Sequence, residues 1–260
     1  MLMFTQEDMY SGASRPSSHR MAFGLLGVCL ASLAGVVLGG APSRVIVVGG
    51  SSGMGKALAK AIVARSGSVL LVSRSMEKLV AAQADILGHS AADAAAVEIE
   101  ALDCSDEAAV AAFAAQKLTA GSFDGLVVSA AGAAPHGDIE TLATESVVGL
   151  FESKFWTAYY ACKHFGPMLA DGGAVALVSG VLNRRPGLNC APLASVNGAL
   201  EGLTRSLALD WGPRLRVNCL SPGFCDTERF DRMEPARKVR PKSSDVCESS
   251  HECTATTDDE

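Results

Sequence analysis

The stretch "RVIVVGGSSGMGKALA" at 44–59 restricts the fold more than any other part of the chain. Its β-branched run reads as a strand buried on both faces, because a strand with one wet face would alternate apolar and polar. The run enters a glycine turn directly. "KALAKAIVARSG" follows with helical spacing and a closing Gly67. Gly49, Gly53 and Gly55 stand where strand becomes helix. A dinucleotide pyrophosphate needs that geometry. Glycine permits the tight turn, lets phosphate approach the backbone and lets helix pack on strand, while a helix N-terminus offers N–H groups and a partial positive charge. A lone glycine pattern is weak evidence, but the strand–turn–helix setting makes this one specific.

The same alternation continues to about residue 227. Strand patterns are "SVLLVSR", "AAVEIEALD", "FDGLVVSAAG", "GAVALVSG" and "LRVNCLSPG". Helix patterns are "MEKLVAAQADILG", "SDEAAVAAFAAQKL", a long "ESVVGLFESKFWTAYYACKHFGPML" and "VNGALEGLTRSLALDWG". Such regular alternation predicts an α/β domain, a Rossmann-type parallel sheet with helices on both faces. The 260 residues, 48% hydrophobic and 19% charged, suffice for a sizeable core. Net charge is −6, so the basic footprint of a nucleic-acid binder is missing.

The flanks differ. Residues 1–20 are polar and without period, and read as disordered. Residues 21–42 carry no charge and are long enough for a transmembrane helix. A single membrane anchor, a cleaved targeting peptide and a buried apolar extension all fit them, with the anchor favoured. The domain is then expected at 43–230, followed by a disordered polar tail at 231–260. Eight cysteines are scattered with almost no paired spacing, which suits a reducing compartment. The tail's "CESSHEC" (Cys247, His251, Cys253) lacks an evident fourth ligand and is read as tail; no metal is expected.

The spacing G-x-x-x-G-x-G resembles the short-chain dehydrogenase/reductase family. "SAAG" at 129–132 stands where that family has N-N-A-G. "ALEGLTRSLALDWGPRLRVNCLSPGF" is similar to its sixth helix and strand, and Pro222, Gly223 and Thr227 fit its P-G-x-x-x-T. The resemblance implies strand order 3-2-1-4-5-6, with a seventh strand missing because a polar tail replaces it. It implies a nicotinamide cofactor on Gly49, Ser51, Ser52, Gly53, Met54, Gly55, Ala130, Ala131, Gly132, Pro222, Gly223 and Thr227. The two long helices are then candidates for a homo-oligomer contact. Where an NAD-binding member carries an acidic residue after the second strand, this chain has Arg74, suited to clamp a 2′-phosphate. NADP (NADPH) is therefore expected over NAD. Asp103 and Cys104 stand where the family holds adenine, although Asp103 fits equally as a cap for the following helix.

The family's reactive side chains are absent. Its Tyr-x-x-x-Lys pair passes a proton to or from the substrate oxygen. Here Leu193 stands at the tyrosine position and Asn197 at the lysine position. The serine position falls on Gly180, beside Ser179, and the asparagine position on Lys154. Lysine and asparagine have exchanged places. Two readings follow for Lys154: an acid in a rearranged site, with Ser179 as oxygen anchor and Asn197 as partner, or a lysine pointing into solvent. Asn183, Arg184 and Arg185 either hold an anionic substrate or form a solvated loop. The chain is expected to be an NADP(H)-linked oxidoreductase acting on an unidentified carbonyl or alcohol. The alternative is a catalytically inactive nucleotide-binding protein, a sensor or partner subunit.

Overall fold

The computed structural model describes residues 43–88 and 94–223, with Cys225 and Thr227 beyond them. The N-terminal segment, the 21–42 apolar stretch and the tail with its Cys-His-Cys cluster lie outside the described residues. Among the described residues, no helix is long and apolar enough to cross a membrane.

The elements in chain order are β1 (Arg44–Val48), α1 (Gly53–Val63), β2 (Ser68–Ser73), α2 (Met76–Leu87), β3 (Val97–Ala101), α3 (Glu107–Lys117) and β4 (Phe123–Val128). Then come α4 (Thr144–Phe151), a π-helical turn (Glu152–Trp156), α5 (Thr157–Phe165), β5 (Leu169–Val178), α6 (Ala191–Trp211) and β6 (Arg216–Leu220). The strands form one six-stranded sheet in the order β3-β2-β1-β4-β5-β6, as expected, and every pairing is parallel. Among the described residues β6 is an edge.

Strand alternation sorts the core into two layers. Ile46 and Val48 face Phe113, Ala161 and Phe165, from α3 and α5. Val45 and Val47 face Leu58, Ile62, Leu79 and Ile86, from α1 and α2. Each such fully buried aliphatic side chain contributes about 1.5–3 kcal/mol. Both layers are apolar because the sheet has no wet face. The chain order reverses between β1 and β4, so their following helices diverge and leave a crevice at the strand ends.

Five local expectations change. α1 ends at Val63 rather than at Gly67, and the left-handed turn residue is Ser66, with φ 63°. The last helix begins five residues early, at Ala191, because Pro192 is well suited to a first turn, where no N–H is needed. Leu169 belongs to β5, not to the long helix, since Gly166–Pro167 breaks the helical ladder. Asp106, not Asp103, caps α3: its carboxylate accepts from the Ala108 and Ala109 amides. The long helix itself is interrupted by the π-turn, which carries Lys154.

Candidate active site

The glycine turn sits at the crevice. Gly49 has φ 86°, a conformation L side chains rarely adopt, and a Cβ there would lie 2.6 Å from the Ala130 nitrogen. At Gly55 a Cβ would lie 2.4 Å from the Gly49 carbonyl oxygen and 2.5 Å from Ser129 Oγ. These glycines let β1, α1 and the segment after β4 close on one another. Two hydroxyls lace the turn: Ser129 Oγ donates to Val48 O at 3.2 Å, and Ser51 Oγ to Ser73 Oγ at 2.9 Å. Ser52 is the N-cap of α1 and makes no side-chain cap bond, and the first turn of α1 holds no acidic residue. Met54 follows in that turn. The result is a concave, backbone-lined turn at a helix N-terminus, which fits a dinucleotide pyrophosphate.

The segment after β4 brings Ala130, Ala131 and Gly132 to the same crevice. The Gly132 amide donates to Ser153 Oγ at 3.2 Å, which fixes this segment against the π-turn. Arg74 lies exposed just past β2, directly before the N-cap Ser75 of α2. Asp103 accepts from the amide and hydroxyl of Ser105. Burial opposes its ionisation, but those bonds and the Arg74 charge outweigh burial and hold its carboxyl below the usual range. Cys104 is buried. Pro222, Gly223 and Thr227 follow β6.

Burial pushes the Cys104 thiol up to about 12, with Asp103 adding to it, and burial alone does the same at Cys162. A thiol with so high a pKa stays protonated at pH 8 and is a poor nucleophile. Aromatic-disulfide titration of the native protein at pH 8 is expected to spare Cys104 and Cys162. Peptide mapping that finds either one labelled as fast as the half-buried Cys190 would contradict this.

The exchanged pair meets in the interior. Lys154 is 6% exposed and Asn197 is 1% exposed. Lys154 Nζ donates to Asn197 Oδ1 at 2.6 Å and to the Ser179 carbonyl oxygen at 3.0 Å. Lys154 therefore does not point into solvent. Lys154 sits on the π-turn, and such turns recur at functional sites. Ser179 Oγ donates its single proton to the Asn197 carbonyl oxygen at 3.0 Å. In this arrangement the hydroxyl anchors α6 and has no second proton for a substrate oxygen.

Asn197 also explains Gly180. A Cβ at residue 180 would lie 2.8 Å from Asn197 Nδ2. A side chain there must displace an amide that Lys154 holds by its other end. Leu193 lies one turn before Asn197 on α6, half-buried and without an exchangeable proton. Tyr159 and Tyr160, the tyrosines nearest in sequence, lie on α5. They pack with Trp156 at ring separations of 5.6 and 5.5 Å. Arg184 is paired to Glu201 at 3.0 Å, and Arg185 is exposed. Sequence reasoning missed Ser153, Glu201 and Ser221. Nothing in their local pattern distinguishes them from ordinary helix and loop residues.

A family model described as enoyl-(acyl carrier protein) reductase matches residues 48–254. The short-chain dehydrogenase/reductase ucsE of an Acremonium species is 30% identical over 73% of this chain and 75% of its own length. The NADPH-dependent reductase BacG of Bacillus subtilis is 28% identical over 71% of each chain. The crystal structure of a small-chain dehydrogenase in complex with NADPH superposes with a TM-score of 0.58 and 30% identity, over 76% of this chain and 78% of that one. The glycine turn, the sheet order and these matches agree: the chain belongs to the short-chain dehydrogenase/reductase family.

Proposed function

We propose that this chain is an NADP(H)-dependent oxidoreductase that interconverts a carbonyl and an alcohol, with Lys154 in the proton-transfer role the family gives to tyrosine. The observation that carries this reading is the buried Lys154–Asn197 contact at 2.6 Å, with Ser179 O at 3.0 Å. When bound, NADPH supplies the hydride to the carbonyl carbon. Lys154 Nζ gives a proton to the carbonyl oxygen, and the alcohol and a neutral amine result; in the reverse direction the amine takes the proton back. Asn197 Oδ1 and Ser179 O fix the position of Nζ. Ser179 Oγ holds the second turn of α6 through the Asn197 carbonyl. Support for NADP comes from Arg74 past β2 and from the NADPH named for BacG and for the superposed dehydrogenase.

The test is direct. NADPH titration, read by energy transfer from Trp156 and Trp211, is expected to show saturable binding. Absorbance at the reduced-nicotinamide band then follows oxidation against a panel of ketones and aldehydes. Binding without turnover of any carbonyl, and without oxidation of alcohols by NADP, would favour the inactive nucleotide-binding reading. No binding of either nicotinamide cofactor would sink both.

Restoring the family's serine alone is expected to harm this site. Gly180→Ser forces the Asn197 amide from its place, at a cost of about 1–3 kcal/mol. Turnover should fall by roughly ten- to a hundredfold. A Gly180→Ser protein as active as the wild type would mean that Asn197 does not hold Lys154 during reaction.

A further inference from the structure

A second buried polar group lies on the same face of α6, one turn beyond Asn197. Glu201 is 6% exposed. Its Oε2 accepts from Arg184 Nη2 at 3.0 Å and from Nε at 3.3 Å. Its Oε1 accepts from the Ser221 hydroxyl at 2.6 Å. Burial works against its charge, but bonds from Ser221, Arg184 and Asn183 outweigh burial and hold the carboxyl below the usual range. Glu201 is thus anionic at neutral pH.

Its partners come from two different loops. Arg184 and Asn183 follow β5, and Ser221 follows β6. The same two segments are joined by one backbone bond, from the Val181 amide to the Pro222 carbonyl at 2.9 Å. An exposed ion pair contributes little, but this carboxylate is buried and bonded from both sides. Removing one partner leaves an under-satisfied buried charge, so the two loops are coupled through it.

We propose that Glu201 is a positioning residue whose carboxylate clamps the segment after β5 to the segment after β6. It thereby sets where Pro222 and Gly223 meet the cofactor and where residues 183–185 border the substrate. This inference rests on the cofactor reading above. Proton transfer belongs to Lys154, so loss of the clamp shows in binding and not in the chemical step.

The test uses Arg184→Met, Ser221→Ala and Glu201→Gln in the full chain. Hydrogen exchange of the Val181 amide is read without cofactor, and NADPH Kd, KM and kcat are read with it. Each variant is expected to speed Val181 exchange and to weaken NADPH or substrate binding roughly tenfold, the loss of one hydrogen bond to a charged group. At saturation kcat should stay within about twofold, and Arg184→Lys should recover part of the affinity. Arg184 is mostly exposed, so Arg184→Met keeps the test open where Glu201→Gln fails to fold. Unchanged Val181 exchange overturns the clamp. Faster exchange with unchanged Kd and KM, or a fall confined to kcat, overturns the positioning role. If the wild type binds no NADPH, the cofactor reading fails by itself, and Val181 exchange still decides the clamp.

Discussion

Lys154→Met is expected to lower turnover by about 10²- to 10⁴-fold while leaving NADPH bound, the range typical of losing a general acid. Methionine matches the length and apolar stem of lysine, so packing around the π-turn should survive. What is lost is the donor to Asn197 Oδ1 and Ser179 O. Two buried acceptors then lose a donor, at up to roughly 1–3 kcal/mol each. Some loss of Tm must therefore accompany the loss of rate. Circular dichroism and the NADPH Kd separate the two effects: a folded, cofactor-binding and inactive variant supports the assignment. A rate equal to that of the wild type removes Lys154 from the mechanism. Asn197→Leu should lose less, because it frees the ammonium without deleting it.

Gly55→Ala should be the most damaging change in the cofactor turn. The added Cβ meets the Gly49 carbonyl oxygen at 2.4 Å and Ser129 Oγ at 2.5 Å. The first is backbone, and it belongs to a residue that is itself constrained at φ 86°. The helix can make room only by moving away from β1. Overpacking of this kind costs about 2–4 kcal/mol, which lowers Tm by roughly 10 °C in a domain of this size. NADPH binding should be lost at the same time, since the turn and the helix N-terminus move together. Gly202→Ala is the control. It lies inside α6 with nothing within 4 Å of an added Cβ, so helix propensity alone applies and the variant gains about 0.5–1 kcal/mol. Equal thermal denaturation curves for the two variants would refute the close-approach argument.

The two kinds of residue differ in how far sequence could find them. The strand–glycine–helix unit at 44–59 is a local device: the residues that make the turn are the residues that need it. Its pattern therefore reads directly, as does the continuous apolar character of β1, β2 and β4, which follows from a sheet covered on both faces. That the strands run parallel also follows, because a helix between consecutive strands makes each connection a crossover. The exchange of lysine and asparagine was visible as a departure at residues 154 and 197. Which way Lys154 points was not visible. A regular helix over 145–169 has no feature at 152–156 that announces a π-turn: neither glycine nor proline occurs there. Asp103 and Asp106 present a similar limit. Both are suited to cap α3, and only the position of the first helical amide selects Asp106.

The sequence by itself determined a parallel sheet and the place of the glycine turn, because those depend on periodicity and on backbone freedom encoded residue by residue; the strand order followed only from the family resemblance. Tertiary structure alone decided that Lys154 is buried against Asn197 and Ser179. It alone joined Glu201 to both Arg184 and Ser221. These contacts span 43, 25, 17 and 20 residues of chain. No local propensity encodes such distances. They arise when the sheet brings the ends of β5 and β6 together beside α6 and the π-turn carries Lys154 in the interior.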